Sequence, residues 1–159
     1  MTFTLSSNDI TDGGVLPDAQ VQAKGNTSPH LKWSGAPEGT RSYAITCYDP
    51  DAPTGSGFWH WTVANIPADV MELATGASTD GLPPGAIEGR TDFGEPGYGG
   101  AAPPPGHGPH RYVFTVFAVD TDKLEVTPDN SGAVFGFNLH FHTLARASIT
   151  ASYENTGQG

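Results

Sequence analysis

The amino-acid sequence predicts an all-β domain with one helical segment near its end. Segments rich in β-branched and aromatic residues recur along the chain. Clusters of glycine and proline separate these segments, and the chain holds 21 glycines and 14 prolines. The apolar spacing fits a helix in one stretch near the C-terminus. This pattern is typical of a β-sandwich or a β-barrel.

Four strands are predicted before the helical segment, at residues 30–34, 40–48, 58–66 and 110–120. The first is short and alternates apolar with polar residues, and the second ends at Asp49 and Pro50. The third ends at Pro67, because proline lacks the N–H that a strand donates. The fourth is the clearest, since valine, phenylalanine, threonine and tyrosine fill it.

The C-terminal end of the predicted fold is a helix at 133–146 and a short strand at 149–153. Phe137, Phe141, Leu144 and Ala145 are spaced by four, seven and eight residues, which places them on one helix face.

The stretch 76–109 has many glycines and prolines and little periodicity. Long irregular loops inside a compact domain are often functional, so we expect this stretch to contribute to a site.

Length and charge limit the possible functions. A chain of 159 residues fits a single domain spanning 1–159. The net charge of −10 disfavours binding to nucleic acid and to anionic membranes. No apolar run approaches the ~18 residues of a membrane span, and no signal peptide is visible, so the expected location is the cytoplasm. The single cysteine, Cys47, predicts no disulfide within the chain.

Two histidines stand out as candidate site residues. Strand alternation places His110 and Tyr112 on the same face of the strand 110–120. In the strand 58–66 it places His60 on one face, with Trp59 and Trp61 opposite as core residues. An isolated histidine is more often structural, but each of these lies near the start of an apolar strand beside a turn-rich segment, where pockets form.

Asp49 and the segment 98–106 complete the candidate site. Asp49 and Pro50 both favour turns, so a turn at the end of the strand is enough to explain their presence. Beside a histidine, however, the carboxylate can accept a ring N–H and favour a cationic imidazole that pairs with phosphate or carboxylate. The segment 98–106 is either a solvent-exposed polyproline turn or a rim whose glycine N–H groups bind an anion.

Three segments resemble the signature of the phosphatidylethanolamine-binding protein family, also called Raf kinase inhibitor-like proteins. They are residues 28–40, residues 49–53 followed by 57–67, and residues 97–120. The compact size and the ending at 141–153 are most similar to the bacterial and archaeal branch. The resemblance implies a sandwich of two antiparallel sheets with a few short helices. It also implies one surface pocket that takes small anions such as phosphate, phosphoethanolamine or a carboxylate.

Carried over residue by residue, the resemblance implies a ligand-binding set of Asp49, His60, Gly100, Ala102, Pro103, Pro104, His110 and Tyr112. The chain departs from the family at Ala101, where relatives commonly carry proline. In animal members, residues of a C-terminal helix help to cover the pocket, and this chain ends differently. His142 lies in the predicted helix and is not assigned a ligand contact.

The resemblance implies non-catalytic binding with no cofactor and no metal. It also implies a possible phosphoprotein or kinase partner, as in eukaryotic relatives, and a possible homodimer. Two alternatives remain from the residues themselves. Asp49, His60 and His110, with Asp51 as a further carboxylate, form a set that can bind zinc or iron. An Asp–His pair can also act as general acid and base in a hydrolase of phosphoesters or esters, although no GxSxG motif is present.

Overall fold

A computed structural model describes residues 2–157. Within that range there are eight strands, two α-helices and a 3₁₀ turn at Asp18–Gln20. The strands are β1 (Thr4–Ser6), β2 (Leu31–Ser34), β3 (Ser42–Asp49), β4 (Phe58–Pro67), β5 (Glu72–Leu73), β6 (Ile87–Glu88), β7 (His110–Val119) and β8 (Thr143–Tyr153). The helices are α1 (Ala77–Asp80) and α2 (Gly132–His142).

The strands form two antiparallel sheets. The smaller sheet has the order β1-β2-β5, and the larger has the order β6-β4-β3-β7-β8. The all-β, two-sheet architecture expected from the sequence is confirmed. In the irregular stretch 76–109, the structure adds α1 and β6 as two very short elements.

The core consists of two clusters on opposite faces of the larger sheet. Ile45 and Val63 belong to the first cluster, which also contains Trp33 of the smaller sheet. Their neighbours Ala44 and Ala64 belong to the second cluster, which lies beneath α2. The strands therefore use both of their faces for packing, because successive side chains point to opposite sides.

The predicted alternation of β4 is wrong at the start of the strand. The register of β3 against β4 shifts between the pairs Cys47–Trp61 and Tyr48–Trp59, so His60 is an extra residue on β4. Such a β-bulge interrupts the alternation of faces. His60 and Trp61 consequently face the same side of the sheet, and Trp59 faces the other.

Contacts on both sides of the sheet agree with this arrangement. The ring of His60 packs edge-on against Tyr112, with 5.2 Å between ring centroids, and Tyr112 belongs to the cluster between the sheets. Trp59 lies instead against Gly132 at the start of α2. The bulge therefore turns His60 toward the candidate site.

The C-terminal helix ends earlier than predicted. Instead of continuing to residue 146, α2 ends at His142, and β8 begins at Thr143. The backbone of Thr143 is already extended, with φ −80° and ψ 124°. From Thr143 onward the chain pairs with β7, and these ladder hydrogen bonds outweigh the helical spacing of Leu144 and Ala145. The predicted strand at 149–153 is the second half of β8.

Candidate functional site

A cavity of about 190 Å³ lies where β3 ends and where β4 and β7 begin. Antiparallel pairing explains this convergence: Asp49 at the end of β3 pairs with Phe58 at the start of β4, and His110 opens β7 on the other side of β3. The cavity is lined by Asp49, Ala52, Pro53, Thr54, Phe58, His60, Phe93, Ala102, Pro104, His110 and Tyr112.

Asp49 and His110 form a buried pair. The Oδ2 atom of Asp49 accepts a hydrogen bond from Nδ1 of His110 at 2.7 Å, and both side chains are nearly inaccessible to solvent. The other carboxylate oxygen accepts the backbone N–H of Asp51 at 2.7 Å. Asp49 therefore fixes a proton on Nδ1 of His110 and leaves its Nε2 to other partners.

The Nε2 atom of His110 has a partner that the sequence analysis did not identify. It lies 2.6 Å from Nδ1 of His107, and the two ring centroids are 4.9 Å apart. His107 is exposed on the loop before β7, whereas His110 is buried. An Asp49–His110–His107 chain thus runs from the interior to the surface.

His60 is held in a defined tautomer. Its Nδ1 atom donates to the carbonyl oxygen of Gly99 at 2.8 Å. Burial lowers the pKa of His60 below its usual value, so the neutral ring predominates at neutral pH. With the proton on Nδ1, the Nε2 atom offers a lone pair. Phe58 and Phe93 pack against this ring, with centroid distances of 4.9 and 5.4 Å.

Tyr112 brings an unpaired hydroxyl to the cavity. This oxygen is buried near the backbone N–H of Ala102, but its own proton has no acceptor within hydrogen-bond distance among residues 2–157. Burial also raises the pKa of Tyr112 well above its usual value, so the phenol keeps its proton and remains a donor. A buried hydroxyl without a partner costs about 1–3 kcal/mol. An acceptor atom in the cavity would remove this cost.

The loop between β3 and β4 forms one rim and is pinned by an ion pair. Asp51 accepts hydrogen bonds from the guanidinium and from the backbone N–H of Arg111, at 2.8–3.0 Å. The guanidinium of Arg111 lowers the pKa of Asp51 to about 2. This pair fixes the loop that carries Ala52, Pro53 and Thr54 to the cavity wall.

Most residues expected at the site do meet there. The structure brings together Asp49, His60, Ala102, Pro104, His110 and Tyr112. Gly100 and Pro103 lie outside the cavity lining. The backbone N–H of Gly100 donates to the Asn26 side chain at 2.8 Å, so it is already used, and Pro103 lines a separate hollow.

The sequence analysis did not assign six neighbours of the site: Ala52, Pro53, Thr54, Phe58, Phe93 and His107. Phe58 stands in the predicted strand 58–66, where its pairing with Asp49 depends on the strand register. Phe93 and His107 lie in stretches without periodicity. They are recognised as neighbours of the site only in the folded structure, where Phe93 lines the cavity and His107 contacts His110.

Two further features matter among the described residues: a group of side chains that could hold a metal ion, and a helix that could span a membrane. Between residues 2 and 157, no group of three or more histidine, cysteine, aspartate or glutamate side chains is placed to hold a metal ion. In the same part of the chain, no helix is long and apolar enough to cross a bilayer. Cys47 is buried, and burial raises the pKa of its thiol.

A family model described as phosphatidylethanolamine-binding protein matches residues 6–154. The chain belongs to the phosphatidylethanolamine-binding protein family. The resemblance carried by the three sequence motifs is therefore confirmed. The match includes every residue that lines the cavity.

Bacterial members of the phosphatidylethanolamine-binding protein family are similar over nearly the whole chain. UPF0098 protein YbhB of Escherichia coli K12 is 53% identical over 156 residues, which cover 94% of this chain and 98% of that protein. UPF0098 protein YbcL of the same strain is 52% identical over 160 residues, covering 96% and 87%. The crystal structure of E. coli YbcL matches with a TM-score of 0.94 at 51% identity, covering 96% of this chain and 98% of the other.

Proposed function

We propose that this protein binds a small anionic group, such as phosphate, phosphoethanolamine or a carboxylate, in the cavity and does not transform it chemically. The observation that carries the proposal is the buried, unpaired hydroxyl of Tyr112 at the cavity wall. Buried polar groups in native proteins are nearly always satisfied, so a ligand acceptor is expected there. The family description, phosphatidylethanolamine-binding protein, supports a phosphate-bearing headgroup.

Tyr112 and His60 would hold such a ligand in complementary ways. The phenol of Tyr112 donates to an anionic oxygen. Neutral His60 accepts from a protonated ligand oxygen, and protonated His60 donates to an anionic one. Hydrogen bonds to charged groups contribute about 1.5–3 kcal/mol each. Ordering costs offset much of this gain, so we expect millimolar to micromolar affinity that rises as the pH falls and His60 takes up a proton.

Calorimetric titration of the Tyr112→Phe variant tests the proposal. The substitution removes only the hydroxyl, and we expect phosphoethanolamine and inorganic phosphate to bind about tenfold more weakly. Tyr43→Phe is the matched control, because Tyr43 is also a buried tyrosine of the larger sheet but lies outside the cavity. Unchanged affinity in Tyr112→Phe, or an equal loss in Tyr43→Phe, would rule out this cavity as the anion site.

Hydrolysis of phosphoesters or esters is the second candidate function, and the buried Asp49–His110 pair favours it. A carboxylate that orients an imidazole is the arrangement of a general base. Cys47 does not suit the role of nucleophile, because burial keeps its thiol protonated. Hydrolysis would therefore use water. Turnover of p-nitrophenyl phosphate or p-nitrophenyl acetate that disappears in His110→Gln would favour a hydrolase over a binding protein.

We also propose that the cavity engages a phosphorylated protein partner, such as a kinase, in the cytoplasm. A phosphoserine peptide presents the same anionic oxygens as phosphoethanolamine. A partner captured from a cell extract through the cavity should be released by free phosphate and should not be captured by Tyr112→Phe.

A homodimer is a further proposal, and sedimentation of the purified protein at several concentrations tests it.

A further inference from the structure

His107 lies in a short turn with an unusual backbone. It is flanked by Gly106 and Gly108, whose φ angles are 75° and 92°, in a region that favours glycine. The N–H of Gly106 donates to the carbonyl of Asn155 at 2.9 Å, and the N–H of His107 donates to Pro104 at 3.2 Å. The backbone of the turn is therefore tied down at its start, and the open space beside Gly106 and Gly108 leaves room for the His107 ring to rotate.

The contact between His107 and His110 has room for a single proton. Because Asp49 takes the Nδ1 proton of His110, the bond between the two rings joins Nε2 of His110 to Nδ1 of His107 at 2.6 Å. One of these nitrogens must donate and the other must accept. If both carried protons, two N–H groups and two positive charges would face each other, and the contact would break.

The surrounding charges affect the two rings unequally. Asp49 contacts His110 directly, and the Asp51–Arg111 ion pair lies beside it. On β8, Tyr153 is the register partner of His110. His110 thus has a carboxylate in direct contact, whereas His107 is exposed and contacts no carboxylate in the part of the chain that is described. A positive charge on His107 would therefore face the ring of His110 with no opposite charge in contact with it.

His107 competes with any ligand for the Nε2 atom of His110. His110 lines the cavity, but His107 does not, so the bond between them holds Nε2 away from a cavity ligand. For His110 to donate to an anion, His107 must first move away. The apparent affinity of the cavity is then lower by the fraction of molecules in which His107 is in place.

We propose that His107 is a latch on His110: it withholds the Nε2 donor of His110 from the cavity while one proton is shared, and it releases that donor when a second proton arrives. This inference rests on the proposed anion binding at the same cavity. His107 is a positioning residue, because it acts on the ligand through His110. The released Nε2–H adds one charge-assisted hydrogen bond to the bound anion.

Sulfate is a suitable probe, because it does not titrate near neutral pH and the proton count then belongs to the protein. Calorimetry of sulfate binding between pH 5.5 and 8 gives the affinity and the number of protons taken up per sulfate. We expect His107→Ala to bind sulfate about fivefold more tightly at neutral pH, since the competing hydrogen bond is gone. We also expect it to take up one proton fewer than the unsubstituted protein.

His107→Asn separates the latch from a structural role of the side chain. The amide oxygen of asparagine can replace Nδ1 as an acceptor but cannot take up a proton. This variant should keep the low affinity at neutral pH and lose the extra proton uptake. His140→Asn is the control, because His140 is an exposed histidine on α2, away from the cavity. Unchanged affinity and proton uptake in both His107 variants would overturn the latch.

A measurement without ligand distinguishes failure of the latch from failure of the proposed function. Nuclear Overhauser contacts between the rings of His107 and His110 should be present at pH 8 and lost at pH 5. Contacts that persist when both rings are protonated would overturn the latch, whatever the cavity binds. If the contacts are lost as expected, but sulfate binds equally to the unsubstituted protein and to Tyr112→Phe, the latch opens and the proposed anion site is wrong.

Discussion

His60 and Tyr112 give the cavity one acceptor and one donor at neutral pH. The Nδ1–H bond to Gly99 leaves the lone pair of His60 at Nε2, and the Tyr112 phenol keeps its proton. A ligand that is both a hydrogen-bond donor and an anionic acceptor, such as hydrogen phosphate, matches this pair. A fully ionised anion matches it only after His60 is protonated, so the protonation state of a single side chain determines which ligands fit.

The titration of His60 is the first prediction. Burial is the main cause of its lowered pKa, so its midpoint in the free protein should lie below the usual ~6.5. An anion that accepts from protonated Nε2 binds that form more tightly, and saturating sulfate should therefore raise the midpoint. The ring protons of His60, followed by NMR from pH 4.5 to 8, measure both values.

The resonances of His140 serve as the reference for this titration. His140 lies on the opposite side of the larger sheet, beside Trp59 and Phe117, and its curve should not respond to sulfate. A His60 curve that stays in place at saturating sulfate would mean that Nε2 does not contact the anion. The lowered pKa has a consequence for folding as well: stability should decrease as the pH falls below about 6.5, because the unfolded chain takes up that proton more readily.

Among the elements, regular strands could be predicted from the sequence, and their exact alignment could not. The dense β-branched and aromatic pattern of β3, β4 and β7 marks them as strands wherever they pair. The bulge at His60 depends on how β4 aligns with β3, which no single-strand pattern encodes. The early end of α2 has a similar cause, since pairing with β7 draws Thr143 and Ala145 into β8.

The same distinction applies to the candidate site. Asp49, His60, His110 and Tyr112 stand at the ends of recognisable strands, where motif resemblance also identifies them. Phe93 and His107 come from irregular chain, and their approach to the site depends on how the loops fold back. The sequence thus predicts the polar centre of the cavity better than its aromatic wall and its outer histidine.

Two glycines of α2 provide a prediction about this helix. A Cβ atom at Gly132 would lie 2.2 Å from the Trp59 ring, whereas a Cβ atom at Gly136 would meet no atom within 4 Å. Gly132→Ala should therefore lower the free energy of unfolding by about 1–3 kcal/mol through overpacking. Gly136→Ala should raise it by up to about 1 kcal/mol, because alanine favours the helix.

Urea denaturation of the two variants, with the same substitution on the same helix, gives both values directly. The sign of the difference depends on α2 lying against the start of β4. Equal effects at the two positions would mean that Gly132 does not contact Trp59, and that the helix packs elsewhere on the sheet.

At the level of the whole molecule, a strongly acidic protein presents a cavity that is not itself strongly acidic. The chain carries a net charge of −10, yet both aspartates at the cavity are paired, Asp49 with His110 and Asp51 with Arg111. The net negative charge of the protein repels an anion at long range, which slows its approach, and added salt weakens this repulsion. The paired groups at the cavity interact with an anion only at short range. Comparisons of ligands therefore require matched ionic strength.

The two core clusters belong to the same strands, which predicts that the domain unfolds as one unit. Along β7, Val116 faces the cluster between the sheets, and its neighbour Phe117 faces the cluster beneath α2. Neither cluster can lose its packing without disturbing strands that support the other. A single domain over 1–159 is therefore expected to show one cooperative transition.

Leu139→Ala tests this coupling from the helix side. Leu139 is buried in the cluster beneath α2, and its truncation should cost about 2–5 kcal/mol. In a Trp59→Phe background, which removes the tryptophan that packs against α2, the fluorescence of Trp33 and Trp61 reports on the far side of the sheet, where both are buried in the other cluster. Far-UV circular dichroism and tryptophan fluorescence should shift together to the same lower urea midpoint.

The control is Leu144→Ala, at a residue that is 44% exposed, which should leave both midpoints nearly unchanged. A fluorescence midpoint that stays in place while the circular dichroism midpoint falls would show that the face beneath α2 unfolds independently, and that the shared strands do not couple the two clusters.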